Sequence, residues 1–405
     1  MAREPLISVE EALARVLDGV TPLPAEEIPL GEAHGRVLAG THASRRTQPP
    51  ADLSSMDGYA VQAADIATLP ASLRLIGEAA AGKPFDGTLK QGETVRIFTG
   101  SVLPPGADQV VPQENVVRDG EQITIGAPPK SRFVRRQGLD FRAGQVMLET
   151  GRRLHARDIG LLAAMDYARV AVARRPRVAI LATGDELVAP GTGDAPDRIV
   201  ASNPHALWAL LRPENAETID LGISPDNLEL ITAAIGCARE FEADILVTLG
   251  GASVGDHDLI APALEQAGIP LSFHRIAMRP GRPMLLGLAE GMRVLGLPGN
   301  PVSAFICAFL FLLPLLRKLQ GRADLLPEAE KAALGRALEP NDHRQDFLRA
   351  KLARGADGQL VATPFKLQDS SMLSVLHAAD CLIVRPPHAS ACAEGSPCEV
   401  LRFAD

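Results

Sequence analysis

Residues 177–187 read RVAILATGDEL, residues 245–258 read ILVTLGGASVGDHD, and residues 293–304 read RVLGLPGNPVSA. Each stretch opens on a short apolar run and then breaks at glycine. Apolar runs of this length without polar alternation read as strands covered on both faces. Between and beyond them lie helix signals: Ser202-Asn203-Pro204, then Ser224 as an N-cap with Pro225 at the first helical position. Ile219–Leu221 reads as a further strand, as do the regions near Leu271–Ile276 and Pro283–Leu288. A last helix is expected from Pro301 to Leu319. Strand–helix alternation of this kind predicts a doubly wound α/β domain over residues 177–320, with a mainly parallel sheet and a ligand site at the carboxyl ends of its strands.

The strand-end loops carry the chemistry. In Thr183-Gly184-Asp185-Glu186, two adjacent carboxylates can hold a hard cation or hydrogen-bond an amine-bearing ring; the loop also reads as a turn with a solvated acid pair. In the second stretch, Gly250, Gly251 and Gly255 let backbone N–H groups approach a phosphate, Ser253 adds a hydroxyl, and Asp256 and Asp258 are oxygen ligands of the kind magnesium prefers. No Gly-Lys-Ser/Thr follows, so this is not a Walker A loop, and it is not a GxGxxG fingerprint. In the third, Pro298-Gly299-Asn300-Pro301 feeds an apolar helix and presents that helix's N-terminus outside the strand, or serves as a rigid connector with a good cap. Arg275, Arg279 and Arg282 cluster between the second and third loops, with geometry suited to an oxyanion.

Outward from this domain, Ser8 and Glu11 predict a capped helix ending near Asp18-Gly19. Proline-rich turns follow. From Asp52 to about Gly144 short apolar runs (Thr94–Phe98, Gln109–Val111, Gln122–Ile125) alternate with Gly and Pro turns, which reads as a β insert over residues 51–144. A helix returns at His155–Met165, so residues 1–50 and 145–176 form a discontinuous helical linking domain. Residues 321–405 read as a small C-terminal β domain built on Asp346–Leu352, Gln359–Pro364, Cys381–Val384 and Glu399–Phe403.

Composition narrows the partners. With 41 basic and 49 acidic residues the 405-residue chain carries a net charge of −8, and aromatics are 4% with Trp208 alone among tryptophans, so nucleic acid is excluded as a partner. The apolar run Phe305–Leu316 is short, contains Pro314 and reads as a buried helix, so no membrane is expected. Five cysteines with no CxxC pair, and an opening MAREPLISVEEALARVL without an apolar core, point to the cytoplasm.

Taken in order, SSMDGYA (54–60), RIFTGSVLPPGADQVV (96–111), ATGDEL (182–187), SNPHAL (202–207), TLGGASVGDHD (248–258), RPGRP (279–283) and LPGNPVSA (297–304) resemble the molybdopterin molybdenumtransferase family, which includes MoeA and the gephyrin E domain. The resemblance covers essentially the whole chain. It implies an elongated homodimer of four-domain subunits whose α/β domain binds molybdopterin. It also implies a reaction: molybdate is inserted into adenylylated molybdopterin with magnesium present, AMP leaves, and molybdenum cofactor results. Molybdopterin adenylyltransferase and molybdenum-enzyme maturation proteins are the partners implied.

The same resemblance implies residue roles. Glu186, Asp226 and Asp258 match acids in or near the pterin and magnesium site. Asp57, Thr99 and Asp140 match groups on the insert that face the partner subunit's α/β domain. Arg349 and Ser370 match positions beside the molybdate pocket. Arg275, Arg279 and Arg282 stand where relatives often carry lysine; arginine keeps the charge but does not release a proton readily, so these residues bind an anion rather than transfer protons. Two other readings stand beside this one: a molybdopterin-binding scaffold without turnover, and the adenylyltransferase itself.

Overall fold

The computed structural model describes residues 6–192, 195–251, 259–355 and 358–403. Ser253, Gly255, Asp256 and Asp258 lie outside the described residues.

The α/β domain holds six strands: β1 (Arg177–Thr183), β2 (Glu217–Ser224), β3 (Ile245–Leu249), β4 (Leu271–Phe273), β5 (Leu285–Ala289) and β6 (Met292–Leu297). They lie in the order β2-β1-β3-β6-β5-β4. The first four of that order are parallel, and β5 runs against both its neighbours. The sheet is therefore mainly parallel, with a tight hairpin at Glu290-Gly291 supplying the reversed strand. Alternate residues of β1 bury on opposite faces. Val178, Ile180 and Ala182 join one core, with helices Asn203–Leu211 and Pro301–Leu319; Ala179 and Leu181 join another, with helices Leu228–Glu240 and Ile260–Gln266. This is the doubly wound arrangement expected of strands apolar on both faces.

Two local expectations change. The helix after β2 is capped by Asn227, whose side chain accepts the Leu230 N–H at 3.0 Å. Ser224 instead ends β2, and its hydroxyl donates to the Pro225 carbonyl at 3.0 Å. At the N-terminus, Ser8 caps Val9–Leu17 by accepting the Glu11 N–H, but the Glu11 carboxylate turns to Arg15, so only half of a capping box forms.

The apolar helix has the extent expected of it and continues past its apolar run at both ends. It spans 19 residues, Pro301–Leu319, with a π-helical stretch at Ala308–Leu312. Pro314 follows that stretch; a proline has no N–H to donate and crowds the carbonyl four residues back, which a widened turn relieves. Phe311, Leu312, Leu315 and Leu316 are fully buried in the core. At roughly 1.5–3 kcal/mol for each large apolar side chain, the helix is the central post of the domain.

The insert carries a six-stranded sheet, including a nine-residue strand, Ala71–Ala79, that joins the strands expected from sequence. On either side of it in the chain, Ala25–Pro29 and Arg169–Ala173 pair with each other. At the C-terminus, strands Ala329–Leu334, Gln345–Arg354, Leu360–Pro364, Cys381–Arg385 and Pro397–Arg402 close into a five-stranded barrel. Met278–Arg279, between two strands of the α/β sheet in the chain, lies outside that sheet and pairs, parallel, with Gln345–Asp346 of the barrel. The cationic segment is thus built into the seam between the two domains.

Candidate functional site

The parallel strands β1, β2, β3 and β6 end at Thr183, Ser224, Leu249 and Leu297, and the loops that follow surround a cavity of about 620 Å³. Its lining includes Glu186, Asp226, Gly250, Gly251, Pro298, Asn300 and Pro301, all expected from sequence. Gly250 has φ +93°, and a Cβ there would lie 2.6 Å from the Thr183 carbonyl oxygen. Only glycine allows this close crossing of β1 and β3, and it leaves bare backbone facing the cavity. The Glu186 side chain folds back over Gly184: a Cβ on Gly184 would meet the carboxylate oxygens at 2.5 and 2.8 Å.

The helix N-terminus is shared between the cavity and the barrel. Asn300 caps it without a side-chain bond to the helix; its amide donates to the Ser370 hydroxyl at 3.1 Å instead. The Val302 N–H donates to the Ser370 carbonyl at 3.1 Å, so one of the helix's free donors is already taken. Ser371 lines the cavity. The barrel of the same chain therefore closes one rim.

Behind that rim lies Arg349. It is 0% exposed, and among the described residues its Nε and Nη1 find no hydrogen-bond partner; Nη2 donates to the Asp369 carbonyl at 3.2 Å. Burial holds its pKa below the ordinary guanidinium value, with Asp369 opposing that shift. Gln368 ties the loop to the strand below: it accepts the Arg349 N–H at 3.0 Å and donates to the Arg349 carbonyl at 3.0 Å. Buried donors without partners are uncommon in folded proteins and cost stability. A guanidinium's free N–H groups are the kind of donor that suits an oxyanion.

The three arginines are not equivalent. Arg279 gives Nε and Nη2 to the two carboxylate oxygens of Asp346 at 2.9 and 2.5 Å. Arg282 is exposed, and the Arg275 carbonyl accepts the Ile7 N–H at 3.4 Å. None of the three lines the cavity among the described residues, although Pro283 does.

On the insert, Asp57 and Thr99 come together. Asp57 Oδ1 accepts both the Thr99 N–H and its hydroxyl, each at 2.8 Å. The Thr99 N–H, then its hydroxyl, hold the Asp57 carboxyl below the usual carboxylate range. Asp140 sits on an exposed loop, its N–H bonded to the Gln48 carbonyl at 3.0 Å. Asp57, Thr99 and Asp140 do not line the cavity of their own chain among the described residues. Met56 and Leu139 are exposed, at 37% and 68%.

The sequence assigns no role to several lining residues, Asn203 and Thr183 although they lie in SNPHAL and ATGDEL, Ile199 and Val200 outside any motif. Asn203 donates to the Gly299 carbonyl at 2.7 Å and fixes the loop before the helix. Thr183 lines the cavity, but its hydroxyl is buried and without a partner among the described residues. Ile199 and Val200 line it as part of a short parallel pair with Leu187–Val188. The signal available for these two was a pair of β-branched residues in an otherwise polar, glycine-rich loop. The five cysteines form no disulfide, and burial pushes the Cys381 thiol up to about 12.

With this geometry in place, residues 7–165 match the family described as MoeA N-terminal region (domain I and II), residues 179–318 the probable molybdopterin binding domain, and residues 331–403 the MoeA C-terminal region (domain IV). The chain is 34% identical over 383 residues to the molybdopterin molybdenumtransferase of Haemophilus influenzae, covering 94% of each. It is 38% identical over 331 residues to that of a Nostoc species, covering 79% of this chain and 76% of the relative. The crystal structure of the molybdopterin biosynthesis MoeA protein of Pyrococcus horikoshii superimposes with a TM-score of 0.86 at 32% identity, covering 99% of this chain and 100% of that one.

Proposed function

The chain belongs to the molybdopterin molybdenumtransferase family, a transferase family of molybdenum cofactor biosynthesis with molybdopterin and molybdate as substrates, and on that premise we propose a division of labour among its residues. Adenylylated molybdopterin occupies the strand-end cavity. Its diphosphate lies along the bare backbone of Gly250 and Gly251 and toward Asn300 at the helix N-terminus, where N–H donors favour negative charge. Molybdate meets the unpartnered donors of Arg349, beside Ser370. Water cleaves the diphosphate link, giving AMP and the phosphate ester of the pterin, and the two dithiolene sulfurs replace molybdate oxygen, which leaves with the thiol protons as water.

Magnesium fits this site by the chemistry of its donors. Glu186 and Asp226 are the carboxylates that the described residues place on the cavity. Among the described residues there is no cluster of three or more metal-binding side chains. That suits an ion bound by one or two carboxylates together with substrate phosphates and water. When bound, magnesium supplies charge neutralisation to the diphosphate. The protein's own groups bind, orient and exclude water.

The second wall comes from a partner copy in this reading. Asp57, Thr99 and Asp140 lie away from their own chain's cavity, beside exposed Met56 and Leu139, which supports a homodimer in which the insert of one subunit faces the cavity of the other. An adenylyltransferase supplies the substrate and maturation proteins take the product. The free cysteines fit the cytoplasm.

The observation that carries the reading is the meeting of a glycine-lined cavity, the helix N-terminus and a barrel loop backed by a buried, unpartnered Arg349. Purified protein given adenylylated molybdopterin, molybdate and magnesium should yield AMP and active cofactor. Tight pterin binding without AMP release above background sinks the enzymatic reading and leaves a scaffold. The α/β domain alone matches the molybdopterin-binding family; the matched N- and C-terminal regions favour the transferase over the adenylyltransferase.

A further inference from the structure

The barrel loop at the cavity rim runs Gln368-Asp369-Ser370-Ser371, and its polar atoms are unequally committed. The Ser370 hydroxyl accepts the Asn300 amide at 3.1 Å, which leaves its own hydrogen free to donate. Ser371 does the reverse. Its hydroxyl donates to Asp369 Oδ1 at 2.6 Å, and its N–H donates to the same oxygen at 2.8 Å. The Asp369 side chain is thereby fixed in a tight turn over Ser371. The Asp369 carbonyl, in the same residue, accepts Nη2 of the buried Arg349 at 3.2 Å.

Two other buried arginines are paired directly: Arg36 with Glu26, and Arg322 with Glu214 and Asp324. Arg349 is not. Its Nε and Nη1 take no carboxylate, yet the Asp369 charge acts on it through space, opposing the fall in pKa that burial imposes. The Ser371 hydroxyl and N–H, with Arg349 adding to them, hold the Asp369 carboxyl below the usual range, so it is ionised at neutral pH. A carboxylate bonded to Nε and Nη1 would occupy the donors and shut an oxyanion out. A carboxylate tied down one loop residue from Ser370 leaves them open and still offsets the buried charge. An oxyanion reaching them meets the repulsion of Asp369.

Resting on the assignment of Arg349 and Ser370 to molybdate above, we propose that Asp369 is the counter-ion of the Arg349 pocket and sets its affinity for the oxyanion, weakening it by charge repulsion. Asp369 touches no substrate in this account; it acts through Arg349. A weak hold serves turnover, because binding that is equally tight before and during reaction does not speed the chemistry.

The test titrates molybdate alone, by calorimetry, into the full-length protein and its variants, without pterin or nucleotide. D369N keeps an oxygen for the Ser371 N–H and hydroxyl and removes only the charge. D369S removes the charge with a smaller side chain that makes the same kind of turn. Each should bind molybdate about fivefold more tightly than the parent at about 10 mM ionic strength, and the gain should shrink below about twofold at about 1 M. Molybdate should also raise the unfolding temperature more in D369N than in the parent. R349M should bind molybdate about tenfold more weakly or worse, and D369N should add nothing in that background. With R349M weakened as expected, a low-salt gain below about twofold in both charge-removing variants, a gain that salt does not diminish, or the same gain in the R349M background overturns this inference alone. A parent that does not bind molybdate at millimolar concentration, or an R349M that binds it as the parent does, overturns the Arg349 assignment and this inference together. AMP release is read separately: the expected gain in D369N without AMP release by the parent upholds the counter-ion and removes the transferase reading.

Discussion

Arg279 grips Asp346 at two points across the seam between the α/β domain and the C-terminal barrel, Nε to Oδ1 at 2.9 Å and Nη2 to Oδ2 at 2.5 Å. The two partners are unequally exposed, the Arg279 side chain at 47% and that of Asp346 at 4%. Removing the arginine strands a buried carboxylate, while removing the acid returns a half-exposed arginine to water. R279A is therefore expected to cost about 2–3 kcal/mol and D346N clearly less, the solvent around Arg279 screening part of the pair. R279K keeps the charge but loses the two-point contact and should fall between them. Chemical denaturation of the three variants orders them. Equal losses in R279A and D346N are incompatible with this account.

Arg349 makes the opposite kind of prediction. Its guanidinium is fully buried behind the Asp369 loop, with Nε and Nη1 unpartnered among the described residues. Replacing a poorly satisfied buried charge by an apolar side chain of similar volume is often neutral or stabilising, by about 1–4 kcal/mol in favourable cases. R349M is expected to unfold at the same or a higher temperature than the parent while losing molybdate-dependent turnover by about a hundredfold or more. Thermal unfolding and AMP release on the same preparation read both halves. A clear loss of stability in R349M would falsify the idea that Arg349 is held for a ligand rather than for the fold.

What the sequence made legible follows from which forces are local. β1, β3 and β6 stood out because Val178–Leu181, Ile245–Leu249 and Arg293–Leu297 are apolar on both faces and stop at glycine. The reversed direction of β5 did not, since burial on both faces looks the same in either orientation; the Glu290-Gly291 turn was its one trace. Ala71–Ala79 was hidden by Arg74 and Glu78 on its solvent face. Ser224 and Asn227 compete as the cap in the sequence because both residue types cap helices, and only the length of β2 decides between them. Glu186, Gly250 and Asn300 announced themselves as strand-end residues. Contacts made at long range did not: Asp57 and Thr99 are 42 residues apart and were joined only by resemblance, while Arg279 with Asp346, 67 apart, was read as an anion ligand.

Asp57 sets a pH dependence on the insert. The Thr99 N–H and hydroxyl stabilise its ionised form, so its pKa is lower in the folded protein than in the unfolded chain. Its contribution to stability is then fully present above the unfolded carboxylate value, roughly pH 3.9, and is lost as pH falls through the lower folded value. T99V deletes the hydroxyl bond and keeps the backbone one. The Asp57 pKa should rise toward the ordinary value without reaching it, read by carboxylate NMR titration between about pH 2 and pH 6. An unchanged pKa in T99V means that the hydroxyl bond is absent in solution.

Thr183 tests whether the cavity floor is shaped for a ligand. Its hydroxyl is buried at the end of β1 with no partner among the described residues, under the close crossing of Gly250. An unsatisfied buried hydroxyl costs about 1–3 kcal/mol, and valine fills the same volume without it. T183V should therefore be neutral or more stable, by up to about 1 kcal/mol. G250A makes the contrasting case at the same crossing: a Cβ at φ +93°, 2.6 Å from the Thr183 carbonyl oxygen, forces the two strand ends apart and should cost about 1–3 kcal/mol. If the Thr183 hydroxyl serves the substrate, T183V raises KM for adenylylated molybdopterin while leaving kcat nearly unchanged, because only uniform binding is lost. G250A instead lowers kcat and stability together. Denaturation curves and steady-state AMP release on the two variants separate the outcomes. A destabilised T183V places the hydroxyl in the fold and not at the ligand.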